Sequence, residues 1–130
     1  MPAPELSPAV VELLRRPNPA VMATIGPDGA PRSVATWYLW DEGRILLSLD
    51  ARRARLDDLR RDPRMSLTVL DGKDWYGHVS IRGTVILEDD PELAAIDRLS
   101  QHYRGRPYPD RKRPRVTAWM TVERVHTWRR

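Results

Sequence analysis

Three tight-turn signals cut this chain into short apolar runs, and their spacing limits what it can fold into. G-P-D-G at 26–29, D-E-G at 41–43 and D-G-K-D at 71–74 each separate stretches that read as strands. Those strands are expected over residues 20–25, 31–40, 44–49, 65–70 and 75–87, with 116–122 and 124–128 closing the chain. The first three form an antiparallel meander that ends at a cluster of arginines. Gly83, inside the longest run, marks a bulge or bend. Such short antiparallel strands, with small helices over the openings, favour a closed or split barrel because a barrel removes exposed edges. The expected class is therefore mainly β (α+β): an antiparallel split β-barrel with small flanking helices.

The helices carry their own signals. Ser7 precedes Pro8 as the cap of a first helix, Val10, Val11, Leu13 and Leu14 give it an apolar side, and Pro17 ends it. A short second helix over 54–61 is stopped by Asp62-Pro63. Asp90 and Pro91 open a third, with Leu93, Ile96, Leu99 and Tyr103 along its inner stripe and Gly105 at its end.

A length of 130 residues with 41% hydrophobic content fits one domain over residues 1–130. The absence of cysteine excludes disulfides, thiolate metal sites and cysteine nucleophiles, and suits a reducing compartment. No apolar stretch approaches the length of a membrane span, and M-P-A-P-E-L-S-P lacks a basic start followed by an apolar core. A soluble, cytoplasmic protein without a membrane partner is expected.

Charge points to anions. The net charge of +4 comes from 20 arginines with only Lys73 and Lys112 beside them. Arginine dominance favours forked recognition of phosphate or carboxylate, although a GC-rich genome gives the same bias. Arg52, Arg53 and Arg55 cluster where Ser48 ends a strand and a helix begins, so guanidinium groups and helix-start amides converge. A solvated basic face is the competing reading. Six basic residues between 104 and 115 face one acid, Asp110, and this loop should attract a polyanion. The five tryptophans either replace the missing phenylalanines in the core or serve an interface or a stacked ligand.

Side-chain chemistry is sparse. His78, His102 and His126 fall on different elements without metal-ligand spacing, so no metal site is expected. His102 and Tyr103 could reach a groove beside the basic loop as proton donors, with a locally satisfied helix-end histidine as the alternative. The adjacent acids Asp57 and Asp58, and Glu88, Asp89 and Asp90, point apart rather than pairing. No catalytic residue is assigned.

A-T-I-G-P-D-G-A-P-R-S-V-A-T-W-Y-L-W-D over 23–41 and I-L-L-S-L-D-A-R-R-A-R-L-D-D-L-R-R-D-P-R over 45–64 resemble the pyridoxamine 5′-phosphate oxidase-like split-barrel superfamily. V-S-I-R-G-T-V-I-L-E-D-D over 79–90, H-Y-R-G-R-P-Y-P over 102–109 and E-R-V-H-T-W over 123–128 are similar to its actinobacterial branch that uses the deazaflavin coenzyme F420.

The resemblance implies a homodimer with two cofactors in grooves between the subunits. Arg55, four positions before Leu59, matches the family's phosphate-binding basic residue. Asp58, where the family often has a small amide, would repel a phosphate unless Arg53 intervened. Ser48 matches a position that bonds the phosphate or ribityl chain, and Leu49 follows it. Arg32, Val34 and Thr36 occupy the strand that edges the ring; alternation sends Ser33, Ala35 and Trp37 to the other face, and only one face is expected to line the pocket. Trp75, Tyr76 and Gly77 match the stretch that reaches the cofactor from the other subunit, while for Trp75 a hairpin-capping role stands beside it.

A bound deazaflavin or flavin would account for the lack of a catalytic constellation, because the cofactor carries the hydride chemistry. The expected activity is F420H2-dependent reduction of an electron-poor small-molecule acceptor. F420 is preferred over FMN because its oligoglutamate tail gives the 104–115 loop a partner. An FMN-binding flavoprotein is the alternative. A non-catalytic cofactor-binding barrel and a basic barrel binding single-stranded nucleic acid form the other class. Against the latter, the basic residues concentrate in turns while the tryptophans alternate within strands, so no nucleic-acid partner is expected.

Overall fold

The computed structural model describes residues 4–128; the start of the N-terminal segment read above, Met1 to Ala3, lies outside them. Helix α1 (Pro8–Arg15) begins where Ser7 Oγ accepts the Val10 amide at 3.3 Å, and it buries Val10, Leu13 and Leu14. Strands β1 (Ala20–Ile25) and β2 (Pro31–Thr36) form a hairpin whose turn is held by Asp28, which accepts the Ala30 amide. Strands β3 (Leu39–Asp41) and β4 (Arg44–Asp50) form a second hairpin. Glu42 and Gly43 both have positive φ there, as a two-residue turn matched to strand twist requires.

Helix α2 (Ala54–Arg61) connects β4 to β5 (Arg64–Leu70), followed by β6 (His78–Asp89), α3 (Ala94–Arg104) and β7 (Arg115–Trp128). All neighbours are antiparallel in one seven-stranded sheet of order β2-β1-β5-β6-β7-β4-β3. The result is an open, barrel-like sheet, a split rather than a closed barrel. The 12-residue β6 and 14-residue β7 carry it from one half to the other. Their register shifts between Arg82 and Gly83, where a side chain on Gly83 would run into the Thr121 carbonyl.

The main core lies inside the curl, where Leu13, Leu14, Met22, Tyr38, Ile45, Leu47, Leu56, Leu67, Ile81 and Met120 pack together. A smaller cluster of Leu93, Ile96 and Leu99 sits under α3, against Trp37, Leu39 and Tyr108. Among the described residues, no helix is long and apolar enough to cross a membrane.

Three expectations about elements are corrected. The predicted meander is absent: residues 31–40 are not one strand, and β2 and β3 lie at opposite ends of the sheet. The break falls at Trp37 and Tyr38, because the Tyr38 ring is wholly buried and its hydroxyl donates to the Arg16 carbonyl at 2.9 Å. Helix α3 starts at Ala94, not Pro91: Asp90 still caps it, accepting the Ala94, Ala95 and Ile96 amides, but Leu93 intervenes with φ of 61°. The long run begins at His78 rather than Trp75, since 71–77 is a turn closed by Asp71 N–H to the Gly77 carbonyl at 2.8 Å.

Candidate functional site

The end of β4, the start of α2, the end of β2 and the α3–β7 loop surround an open cavity of about 630 Å³. One wall is basic. Arg53 and Arg55 come from the α2 start, and Arg113 and Arg115 from the approach to β7. The rest of the lining is largely aromatic and apolar: Trp37 stacks on Tyr103 with centroids 5.3 Å apart and meets the edge of Tyr108 at 6.2 Å, beside Ile96 and Leu99.

Arg55 is the group that asks for a ligand. Its Nε is buried with no hydrogen-bond partner among the described residues. Burial, then the charges of Arg53 and Arg115, push its pKa below the ordinary guanidinium value. Unpaired buried donors and neighbouring like charges are relieved together by one anion. Arg115 is better anchored: its Nε donates to Ser48 Oγ at 3.1 Å, its Nη2 donates to the Ser48 carbonyl, and its guanidinium lies 5.3 Å from the Tyr108 ring.

Asp50 is the acid lining this cavity. Its Oδ1 accepts the Arg52 amide at 3.0 Å, and its Oδ2 lies 3.4 Å from Arg113 Nη1. That amide first, and then the charges of Arg113 and Arg115, hold its carboxyl below the usual range against the opposing effect of burial. Tyr103 donates from its hydroxyl to the Asn18 carbonyl at 2.7 Å, and burial pushes its pKa up to about 12. It is therefore a neutral wall near pH 7. The basic loop is tied to α3 by Asp97, which accepts the Tyr108 amide and pairs with Arg111 at 2.6 Å.

Of the residues singled out in the sequence, Thr36, Ser48, Arg53, Arg55 and Tyr103 line this cavity together. Ala35, Thr36 and Trp37 all line it in succession, contrary to the one-face rule, because β2 ends at Thr36 and the chain turns there. Val34 packs against the main core, and Leu49 is buried in it. Arg32 points to α2, where its Nη2 lies 2.7 Å from Asp58. Asp58 is wholly buried and also accepts from Thr24 and Arg61, so Arg53 is not its intermediary. Trp75, Tyr76 and Gly77 lie in the β5–β6 turn, outside the cavity lining, where the Trp75 and Tyr76 rings stack at 4.4 Å.

Arg113, Arg115 and Tyr108 also line the cavity without having been singled out one by one, although the basic character of 104–115 pointed to the first two and the stacked-ligand reading of the tryptophans to Trp37. His102 does not line the cavity. Among the described residues, no group of three or more His, Asp or Glu comes together as a metal site would require.

Fold and cavity define a split-barrel protein with arginines gathered beside stacked aromatic rings. The sequence profile of the pyridoxamine 5′-phosphate oxidase family matches residues 6–129, and the chain belongs to that family. Its fold is similar to that of an F420 reductase, with 26% identity and a TM-score of 0.85 over 93% of this chain and 98% of that one. A conserved hypothetical protein of Mycobacterium tuberculosis, Rv2991, gives 28% identity and a TM-score of 0.77 over 95% of this chain and 85% of that one. The General Stress Protein 26 of Bacillus anthracis shares the fold at 13% identity and a TM-score of 0.72, over 92% of this chain and 90% of that one. Family and neighbours together mark an oxidoreductase lineage related to flavin or F420 chemistry.

Proposed function

We propose that this protein is an F420H2-dependent oxidoreductase that reduces an electron-poor small organic acceptor. The observation that carries this reading is the buried Nε of Arg55, unpartnered among the described residues and set among Arg53 and Arg115 on one wall of a cavity whose remaining lining is largely aromatic and apolar. A phosphate joined to a planar ring has the chemistry to satisfy both parts of that lining, and the likeness to an F420 reductase supports the deazaflavin choice. When bound, reduced deazaflavin supplies the hydride and its acceptor receives it.

The chain's own residues bind and orient. Arg53 and Arg55 hold the phosphate, Ser48 stays in place through its bonds with Arg115, and Trp37 and Tyr103 exclude water from the apolar side. No side chain here is assigned the proton that accompanies reduction; solvent supplies it through the open face. FMN also carries a phosphate on its ribityl chain, there without a tail, and is the second reading, favoured by the family match.

The active unit in this proposal is a cytoplasmic homodimer. A second copy completes the cavity with Trp75, Tyr76 and Gly77, and the 62% exposure of Trp75 on a closed turn supports that placement. The test is crosslinking and light scattering of the protein with and without cofactor. A dimer whose cofactor affinity falls with Trp75→Ala fits the proposal, and a monomer that binds cofactor fully contradicts it.

A further inference from the structure

A second cavity, of about 430 Å³, opens at the other end of the β1–β2 hairpin and shares no lining residue with the first. It lies where β6 and β7 change register. Arg82 pairs with Arg124 and Gly83 with Val122, so Glu123 is the extra residue of the bulge, and Glu123 and Arg124 are exposed in succession. The bulge is fixed from below, because a side chain on Gly83 has no room beside the Thr121 carbonyl.

One row of side chains crosses this floor. Ala23 on β1, Ser66 on β5, Arg82 on β6 and Arg124 on β7 are successive register partners, and all four line the cavity. The lining is cationic at the β7 end and apolar at the β1 end, where Ile25 and Pro31 pair across the hairpin. Its charges are not balanced. Arg64, the third arginine of the lining, is held by Asp62 at 2.7 Å, whereas among the described residues Arg82 and Arg124 form no ion pair. Like charges set directly opposite on neighbouring strands destabilise a sheet, and an anion placed between them reverses the sign.

Glu123 limits what that anion can be. It lines the same cavity, forms no ion pair among the described residues, and its charge disfavours a polyanion. A single carboxylate is a group that two guanidinium forks and the Ser66 hydroxyl can share. From β6 to β1 is two strand spacings, about 10 Å, over which the surface turns apolar.

We infer that this cavity is a second ligand site, for a small monocarboxylate with an apolar body. The carboxylate lies between Arg82 and Arg124, and the body runs over Ala23, Ile25 and Pro31. The inference goes beyond the proposed function, because no residue of this site belongs to the cofactor cavity.

The probes are octanoate, kept below its micelle concentration, and acetate, each titrated into isotope-labelled protein and read from backbone amide shifts. Octanoate is expected to move the Ser66, Gly83 and Arg124 amides along one saturating curve, and acetate, which lacks the apolar body, to bind at least about tenfold more weakly. Arg82→Ala and Arg124→Gln should each weaken octanoate about three- to tenfold, and Glu123→Gln should tighten it by up to about threefold. Arg55→Ala, in the other cavity, should leave it within about twofold. Octanoate shifts confined to Trp37, Ser48 and Arg55, an affinity unmoved by both arginine variants, or equal affinities for the two probes overturn the inference. So does silence at Ser66 and Gly83, the result expected if a second copy of the chain covers this face. Amide spectra of the variants show that each is folded, and the two arginine variants, on different strands, stand in for one another. Failure of F420 to bind would leave the octanoate results intact, so the two readings fall separately.

Discussion

Arg32 and Asp58, 26 residues apart in sequence, meet at 2.7 Å and fasten the β2 edge of the sheet to the helix that presents Arg55. Arg61 reaches the same oxygen at 2.9 Å and Thr24 donates to the other, so one buried carboxylate joins β1, β2 and α2. Burial raises the pKa of Asp58, but hydrogen bonds from Thr24, Arg61 and Arg32 outweigh it and hold the carboxyl below its ordinary value of 3.8.

Removing that carboxylate should loosen the whole corner. Asp58→Ala is expected to cost about 3 kcal/mol in urea denaturation, the low end for a broken buried pair because both arginines are partly exposed. The pH dependence has a definite sign. A depressed folded-state pKa means that the stabilisation is complete above about pH 4 and is lost as the pH falls through the lower folded value. Asp58→Asn should therefore show a shallower loss of stability below pH 4 than the wild type.

Arg55→Ala should separate binding from stability. Phosphate-bearing cofactor affinity is expected to fall at least about tenfold, as loss of a charge-assisted contact implies. The melting temperature should hold or rise, because the variant removes a buried donor without a partner among the described residues and relieves repulsion from Arg53 and Arg115. Titration and thermal melting on the same preparation read both. A large fall in melting temperature would show that Arg55 holds the fold rather than the ligand.

Gly83→Ala tests the bulge. The added Cβ would overlap the Thr121 carbonyl, a backbone atom in the neighbouring strand. The strand pair must shift to admit it, and a loss of at least about 2 kcal/mol is expected in denaturant titration. Stability equal to wild type would mean that the β6–β7 bulge is adaptable.

Much of this architecture was legible in the sequence because local chemistry decided it. Ser7-Pro8, the G-P-D-G turn, the Glu42-Gly43 turn and Asp62-Pro63 each set a boundary through their own backbone preferences. The β2–β3 break was not legible. V-A-T-W-Y-L-W contains no glycine or proline, and the kink comes from burying Tyr38 against α1, a tertiary effect. Arg32 departs from the ring-edge expectation for a related reason: alternation along β2 does not show the buried Asp58 that its guanidinium meets. Ser48, Arg53 and Arg55 could be grouped from the sequence because they lie in one basic turn after a strand, whereas Thr36 came from the resemblance; the four line one cavity. Arg113, Arg115 and Tyr108 join them only through the pairing of β7 with β4, which brings residues 67 apart into contact at Ser48 and Arg115.

The most direct measurement is titration of the protein with F420 and, separately, with FMN, read by quenching of tryptophan fluorescence at low and moderate salt. Trp37 lies in the cavity wall against Tyr103, so a ring bound there should quench it. A deazaflavin site beside four arginines predicts tighter binding of F420 than of FMN, with the F420 affinity falling more steeply as salt screens its tail. Preference for FMN, or F420 binding that neither quenches tryptophan nor responds to salt, would contradict it.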